Sequence, residues 1–277
     1  KAFVSHGRLA ESKEDKGERR KDIMQMLTIR YEDREIIVVE KPQGIEAQSS
    51  RSFEPDMVSL IQNHIAGREG RDTHKISTNL STNWGKHSTK PVQKQPPYVA
   101  VIHRLDRPVA GIMVYAKTKK AAAALSSQVK EGKMEKTYYA VICGKPVDFV
   151  GNYVDYLRKN GKTNRTEIVD KEAEGGKRAE LAYQVVETIT REQELSLVRI
   201  RLLTGRHHQI RVQFAGRGMP LWGDNRYNPE FALGKARGSI ALCAAGLSFS
   251  HPSLGKKMEY WMQPVGEAFS WFSEINR

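Results

Sequence analysis

The sequence predicts an α+β fold with a mixed, mainly antiparallel central sheet and flanking helices and loops. Three observations support this. Segments of strand character outnumber helical ones and follow one another directly, as at 178–189 and 195–203, which a charged turn at 190–194 joins. Strands and helices do not alternate as βαβ units, and no internal repeat is present. The glycine-rich phosphate loops of doubly wound folds, GxGxxG and GxxxxGK[ST], are absent from the sequence.

Residues 1–26 alternate in charge sign and offer little to bury, so they are expected to form a flexible leader. The string LTIRYEDREIIVVEKPQG then predicts strands at 27–31 and 36–39 around the turn Glu32-Asp33-Arg34, with Pro42 and Gly44 ending the second. After Pro55, the spacing of Met57, Leu60, Ile61, His64 and Ile65 predicts a short amphipathic helix over 53–65. Residues 67–97 are polar and end in prolines. They carry six Lys or Arg against two acidic residues, and they interrupt a domain taken as 27–277 as a basic insertion or solvated loop. Strands follow at 98–102 and 112–116. A helix is expected over 119–130, with Thr118 as N-cap and Gly132 as stop, and then a strand at 137–143. Gly161 breaks 151–171 into a hairpin, a helix-like segment begins near His207, and the last strand region is 239–250.

The 277 residues include 45 Lys plus Arg and 32 Asp plus Glu, a formal charge of +13, which admits nucleic acid, an anionic membrane surface, acidic partners or simple solubility. The membrane reading lacks a basic amphipathic helix with a bulky apolar face, and no apolar run approaches the roughly 18 residues that cross a bilayer. The first residues are too charged for a signal peptide, so a cytoplasmic protein is expected. Cys143 and Cys243 have no metal-ligand or disulfide spacing around them, so no metal site is expected and a reducing compartment fits.

Two segments crowd charge against apolar strands. One is Val101-Ile102-His103-Arg104-Leu105-Asp106-Arg107, and the other is Thr204-Gly205-Arg206-His207-His208-Gln209-Ile210-Arg211. Singly, each reads as a surface ion pair or ordinary polar contacts. Together they suggest a partly dry carboxylate kept ionised by a cation, because burial raises a carboxyl pKa while a close Arg lowers it by about 1 to 3 units. Asp106 and an Arg of the second segment would form that pair.

The string HRLDRPVAG at 103–111 resembles the H-R-L-D signature of the RluA family of pseudouridine synthases. Four further blocks agree in order and spacing: YEDREIIVVEKPQG, MEKTYYAVICG, TGRHHQIRVQFAGRGMPLWGD and IALCAAGLSFSHP. The resemblance spans about residues 27–264. Departures fall at Val109-Ala110, where Thr-Ser is common, at His207, where Thr or Ser is usual, and at Gln213 and Cys243, which replace frequent histidines.

The resemblance implies the pseudouridine synthase fold without the optional N-terminal S4-like domain. It implies an enzyme that detaches uracil from ribose at N1 and rejoins it through C5 in RNA, with rRNA favoured over tRNA, as a monomer without cofactor. Asp106 would be the nucleophile, attacking either ribose C1′ or the uracil ring. Tyr138 would lie against the flipped base and help move the C5 proton, while Tyr139 on the opposite strand face would pack in the core. Arg211 would pair with Asp106, and Leu242 would wall the uracil pocket. Arg104 would occupy the space vacated by the flipped nucleotide. Arg206, His208 and Gln209 would contact RNA or the loop, or serve structure. A non-catalytic RNA-binding or ribosome-assembly factor on the same scaffold is the alternative.

Overall fold

The computed structural model describes residues 27–49, 55–76 and 95–275; the leader 1–26 and most of the basic insertion, 77–94, lie outside the described residues. Eleven strands form one sheet: β1 (Thr28–Glu32), β2 (Ile36–Lys41), β3 (Ala100–Val101), β4 (Ala110–Ala116), β5 (Glu135–Cys143), β6 (Val150–Asn160), β7 (Arg165–Val169), β8 (Lys177–Thr190), β9 (Glu194–Leu202), β10 (Leu242–Ser250) and β11 (Lys257–Trp261). Their order is β1-β2-β4-β10-β5-β9-β8-β6-β7, with β3 beside β4 and β11 beside β10. The β4–β10 pair is parallel and the other pairs are antiparallel, so the sheet is mixed and mainly antiparallel as the sequence predicts. The exposed strand β11 alternates half-buried and exposed residues, too weak an apolar signal for the sequence to reveal it.

Period-2 alternation assigns each side chain to a face. Ile37, Val39, Met113 and Tyr115 point to one face, where they pack with Met57, Leu60 and Ile61 of the helix α1 (Met57–Ile76). Ile36, Val38, Ile112 and Val114 point to the other, against Ala121 and Leu125 of α2 (Lys119–Lys130). Further along that second face, Val141, Leu195, Leu197 and Cys243 are covered by Phe269 and Phe272 of the C-terminal 3-10 segment. Coverage on both faces explains the unbroken run IIVV in β2, since no position there meets water.

Thr118 caps α2 as expected, its Oγ1 accepting from the N–H of Ala121 at 3.1 Å. Helix α1 differs from expectation. It opens on a reciprocal cap between Asp56 and Ser59 and runs through the predicted end at 65 to Ile76, into what the sequence reads as loop. Its apolar period stops near Ile65, but His64 and Arg68, four residues apart on one face, both reach Glu32 Oε2, at 2.8 and 2.6 Å. A charge on β1 thus anchors the helix beyond its hydrophobic stretch.

Glycine sets the spacing of the two strands that matter most for the site. At Gly111 an added Cβ would lie 2.4 Å from Ala244 Cβ, so only glycine lets β4 and β10 approach at that register.

Candidate active site

A cleft of about 1790 Å³ opens where the 101–109 segment, the start of β5, the 201–211 segment and the residues before β10 converge. Asp106 sits in the turn before β4, closed by a Val109 N–H to Asp106 C=O bond of 3.0 Å. Its side chain is half-buried. Opposite lies α3 (Gln209–Ala215), a seven-residue helix with every side chain from Gln209 to Phe214 buried. Phe214 anchors it, edge-on to Tyr153 and Tyr183 at centroid distances of 5.2 and 5.9 Å.

Burying Arg211 on that helix requires acceptors for its guanidinium. Asp224 supplies two, accepting from Nε at 2.8 Å and Nη2 at 2.7 Å, and is itself held by the N–H groups of Arg226 and Tyr227. The third nitrogen, Nη1, donates to Asp106 Oδ2 at 3.1 Å. Bidentate pairing to Asp224 therefore fixes the guanidinium plane, and the plane fixes Asp106.

His208 approaches the same oxygen from the other side, with Nε2 3.5 Å from Oδ2. Its orientation follows from its partners. The Tyr227 hydroxyl accepts from the Thr166 N–H at 2.8 Å and is hydrogen-bonded to His208 Nδ1, also at 2.8 Å, which holds the ring with Nε2 toward Asp106. Both contacts fall on Oδ2. Oδ1 has no hydrogen-bond partner among the described residues and is free for chemistry in the cleft. Tyr138 and Leu242 are buried side by side in the core cluster that lines the cleft next to Asp106. Burial first, and then the Asp106 charge, push the Tyr138 hydroxyl well above its ordinary value, so it stays protonated.

Residues 35–216 match the family described as RNA pseudouridylate synthase. The chain is 31% identical over 238 residues to the dual-specificity RNA pseudouridine synthase RluA of Vibrio vulnificus, covering 85% of this chain and 80% of that one. This chain belongs to the RluA family of RNA pseudouridine synthases. Its enzymes are isomerases acting on RNA. It is also 30% identical over 244 residues to the ribosomal large subunit pseudouridine synthase D of Zymomonas mobilis, over 84% of this chain and 68% of the relative. Among solved structures, human RNA pseudouridylate synthase domain containing 4 shares the fold, with a TM-score of 0.66 at 19% identity over 92% of this chain and 94% of that one.

Most departures from the RluA pattern are absorbed by packing. Val109 and Ala110 are buried, Cys243 faces the core on the far side of the sheet, and Gln213 Nε2 donates to Asp155 at 2.7 Å inside the protein. His207 is the exception that lines the cleft. Its ring stacks on His208 at 3.7 Å, and its Nδ1 pairs with Thr166 Oγ1 at 2.7 Å.

The sequence-predicted residues divide by position. Asp106, Tyr138, Arg211, His208 and Leu242 converge. Arg104 is exposed at the cleft wall, and Arg206 is exposed with its Nε donating to Arg178 C=O at 2.9 Å. Of the roles open to Gln209, the structure shows the loop contact: the side chain is buried, and its Oε1 accepts from Thr204 Oγ1 and Arg206 N–H at 2.8 and 3.0 Å. Tyr139 packs in the far-side core as expected.

Four neighbours escaped sequence reasoning, namely Asp224, Tyr227, Thr166 and Lys41. The signal for Asp224 was the need of a buried Arg for an acid, and for Lys41 a cation inside an apolar strand. Lys41 is fully buried beneath the Asp106 turn, and its ammonium donates to the carbonyls of Pro42, Ile45 and Arg107 at 3.0, 2.7 and 3.1 Å. Burial pushes it down to about 7, yet three acceptors need three protons, which only the charged form has.

An acid-stability prediction follows from His208. Burial, outweighing the attraction of Asp106, pushes it from 6.5 down to about 4. Between these values the unfolded chain binds a proton that the folded chain refuses, so stability is full above about 6.5 and falls as pH drops through the window. Urea unfolding at pH 7.5 and 4.5 should show this loss, and His208→Gln should reduce it without abolishing it, because the buried His103, pushed down to about 3, refuses a proton over the same window; an unchanged loss in the variant would assign it wholly elsewhere.

Proposed function

We propose that this chain isomerises a uridine in structured RNA, in ribosomal RNA before transfer RNA, to pseudouridine, with Asp106 as nucleophile. The observation that carries the assignment is the half-buried Asp106 carboxylate, anchored through Oδ2 by Arg211, with His208 Nε2 3.5 Å from the same oxygen, and open at Oδ1. In the reaction the N1–C1′ bond breaks, a C5–C1′ bond forms and the C5 proton is lost to solvent while N1 gains one, so atoms balance with no redox change. Attack at C1′ or at the uracil ring begins from the same carboxylate. Tyr138 would lie against the base, with Leu242 as apolar wall, and Arg104 would fill the gap left in the stack.

The ribosomal preference rests on the names of relatives such as the large-subunit synthase D. The site residues named come from one chain, in keeping with a monomer, and the eleven-stranded sheet is continuous, in keeping with one catalytic unit over 27–277. The two cysteines are buried and unpaired, which suits the cytoplasm. No helix among the described residues is long and apolar enough to cross a membrane. Mapping pseudouridines by chemical derivatisation and reverse transcription, in cells with and without the gene, tests the activity and identifies the uridine. An identical map in both would refute the reading and leave RNA binding alone.

Arg104 offers a separate check. Extracting a stacked base costs a few kcal/mol, so Arg104→Ala should slow single-turnover reaction at least about tenfold more on a stem-loop than on a short single strand. Equal losses on the two substrates would make Arg104 an ordinary phosphate contact.

A further inference from the structure

Two lysines are drawn into this part of the protein, and they are treated differently. Lys41 is surrounded by three carbonyls that accept all of its protons. Lys136, half-buried near the start of β5, has no hydrogen bond or ion pair to its ammonium among the described residues. The neighbouring acid, Glu135, points to the other face of the strand and pairs with Arg201 at 3.2 Å. The His103 ring beside it is neutral, because burial, and then the Lys136 charge, push it down to about 3, and its Nε2 accepts from the Val114 N–H at 3.4 Å. On the cleft side the Lys136 ammonium faces Gly205, where an added Cβ would stand 3.6 Å away.

A half-buried ammonium has lost part of its hydration, and here no group among the described residues replaces it. Lys136 lines the same cleft as Asp106 and Tyr138, as do the exposed Arg104 and Arg206. It is two residues from Tyr138 and therefore on the same face, about 7 Å along the strand. That step matches the reach from a base across its ribose to the adjoining phosphate.

Resting on the pseudouridine synthase reading, we propose that Lys136 is a phosphate-binding residue that receives one of the two phosphodiesters flanking the target uridine. The bond is charge-assisted, and in a cleft closed by RNA it gains strength from the exclusion of water. Its contribution is to seat the backbone so that the base reaches Tyr138 and the ribose reaches Asp106.

The test is a double-mutant cycle between protein and RNA. The probe is a fluorescein-labelled nine-nucleotide RNA with a single central uridine, either native or with an uncharged methylphosphonate at one of the two flanking linkages. Binding is measured by anisotropy on the full chain carrying Asp106→Asn, so that no turnover intervenes. Lys136→Met should weaken binding to the native RNA about tenfold and reduce the slope of log K against log salt by about 0.7. On one of the two methylphosphonate RNAs, the same substitution should cost nothing further. Lys136→Arg should recover most of the affinity, and thermal unfolding should show that all variants are folded. Losses that multiply on both neutral-linkage RNAs, or no loss on the native RNA, would overturn the proposal. Tritium release by the unsubstituted protein reports on the pseudouridine reading independently, since the binding cycle needs no turnover.

Discussion

Asp106→Asn should abolish tritium release from RNA containing 5-tritiated uridine, with a rate loss of at least about 10⁴-fold under single-turnover conditions. Asn matches the carboxylate in shape, and its carbonyl oxygen can still accept from Arg211 Nη1, but an amide is not a carboxylate nucleophile. The scaffold should barely notice. Arg211 keeps both bonds to Asp224, and Asp106 is partly solvated, so stability should change by no more than about 1 kcal/mol. Urea unfolding and RNA binding on the same preparation would show a folded, binding-competent and inert protein. Turnover near the wild-type rate would remove Asp106 from the chemistry.

Arg211 should fail in a different way. Arg211→Met strips a fully desolvated cation from between two carboxylates and leaves Asp224 buried without its partner, which should cost about 3–5 kcal/mol of stability as well as activity. Arg211→Lys separates the two effects. A single ammonium retains the charge but cannot hold Asp224 with two nitrogens while offering a third to Asp106, so folding should be largely recovered and rate should not. A loss of about 100-fold in rate at nearly native stability is the expected result for Lys. Wild-type turnover by that variant would show that charge alone suffices and that orientation through Asp224 contributes nothing.

These predictions concern contacts that the sequence revealed unevenly. The pairing of Asp106 with an arginine of the second charged segment followed from elementary electrostatics, and the cap at Thr118 from a local rule of helix ends. Such rules work because their partners are within a few residues or share a recognisable string. Asp224 was not legible, because it meets Arg211 from thirteen residues away across a turn, with no periodicity linking them. Thr166 was further from reach. It comes to His207 and Tyr227 only because β7 returns beside α3, and a hairpin's place against a helix is a tertiary fact. The length of α1 depended likewise on Glu32, a residue on another element.

The parallel pairing of β4 with β10 also bears on how the molecule comes into being. Gly111 and Ala244 touch although about 130 residues separate them, so the contact carries one of the larger loop-closure costs in the chain. Strands β1, β2 and β4 can form their antiparallel pairs early, while the polypeptide is still being extended from its N-terminal end. The turn bearing Asp106 is thus made long before Leu242 exists to face it. In the order of synthesis the carboxylate therefore precedes one wall of its own pocket, which is complete only once β10, among the last strands of the chain, takes its place in the interior of the sheet.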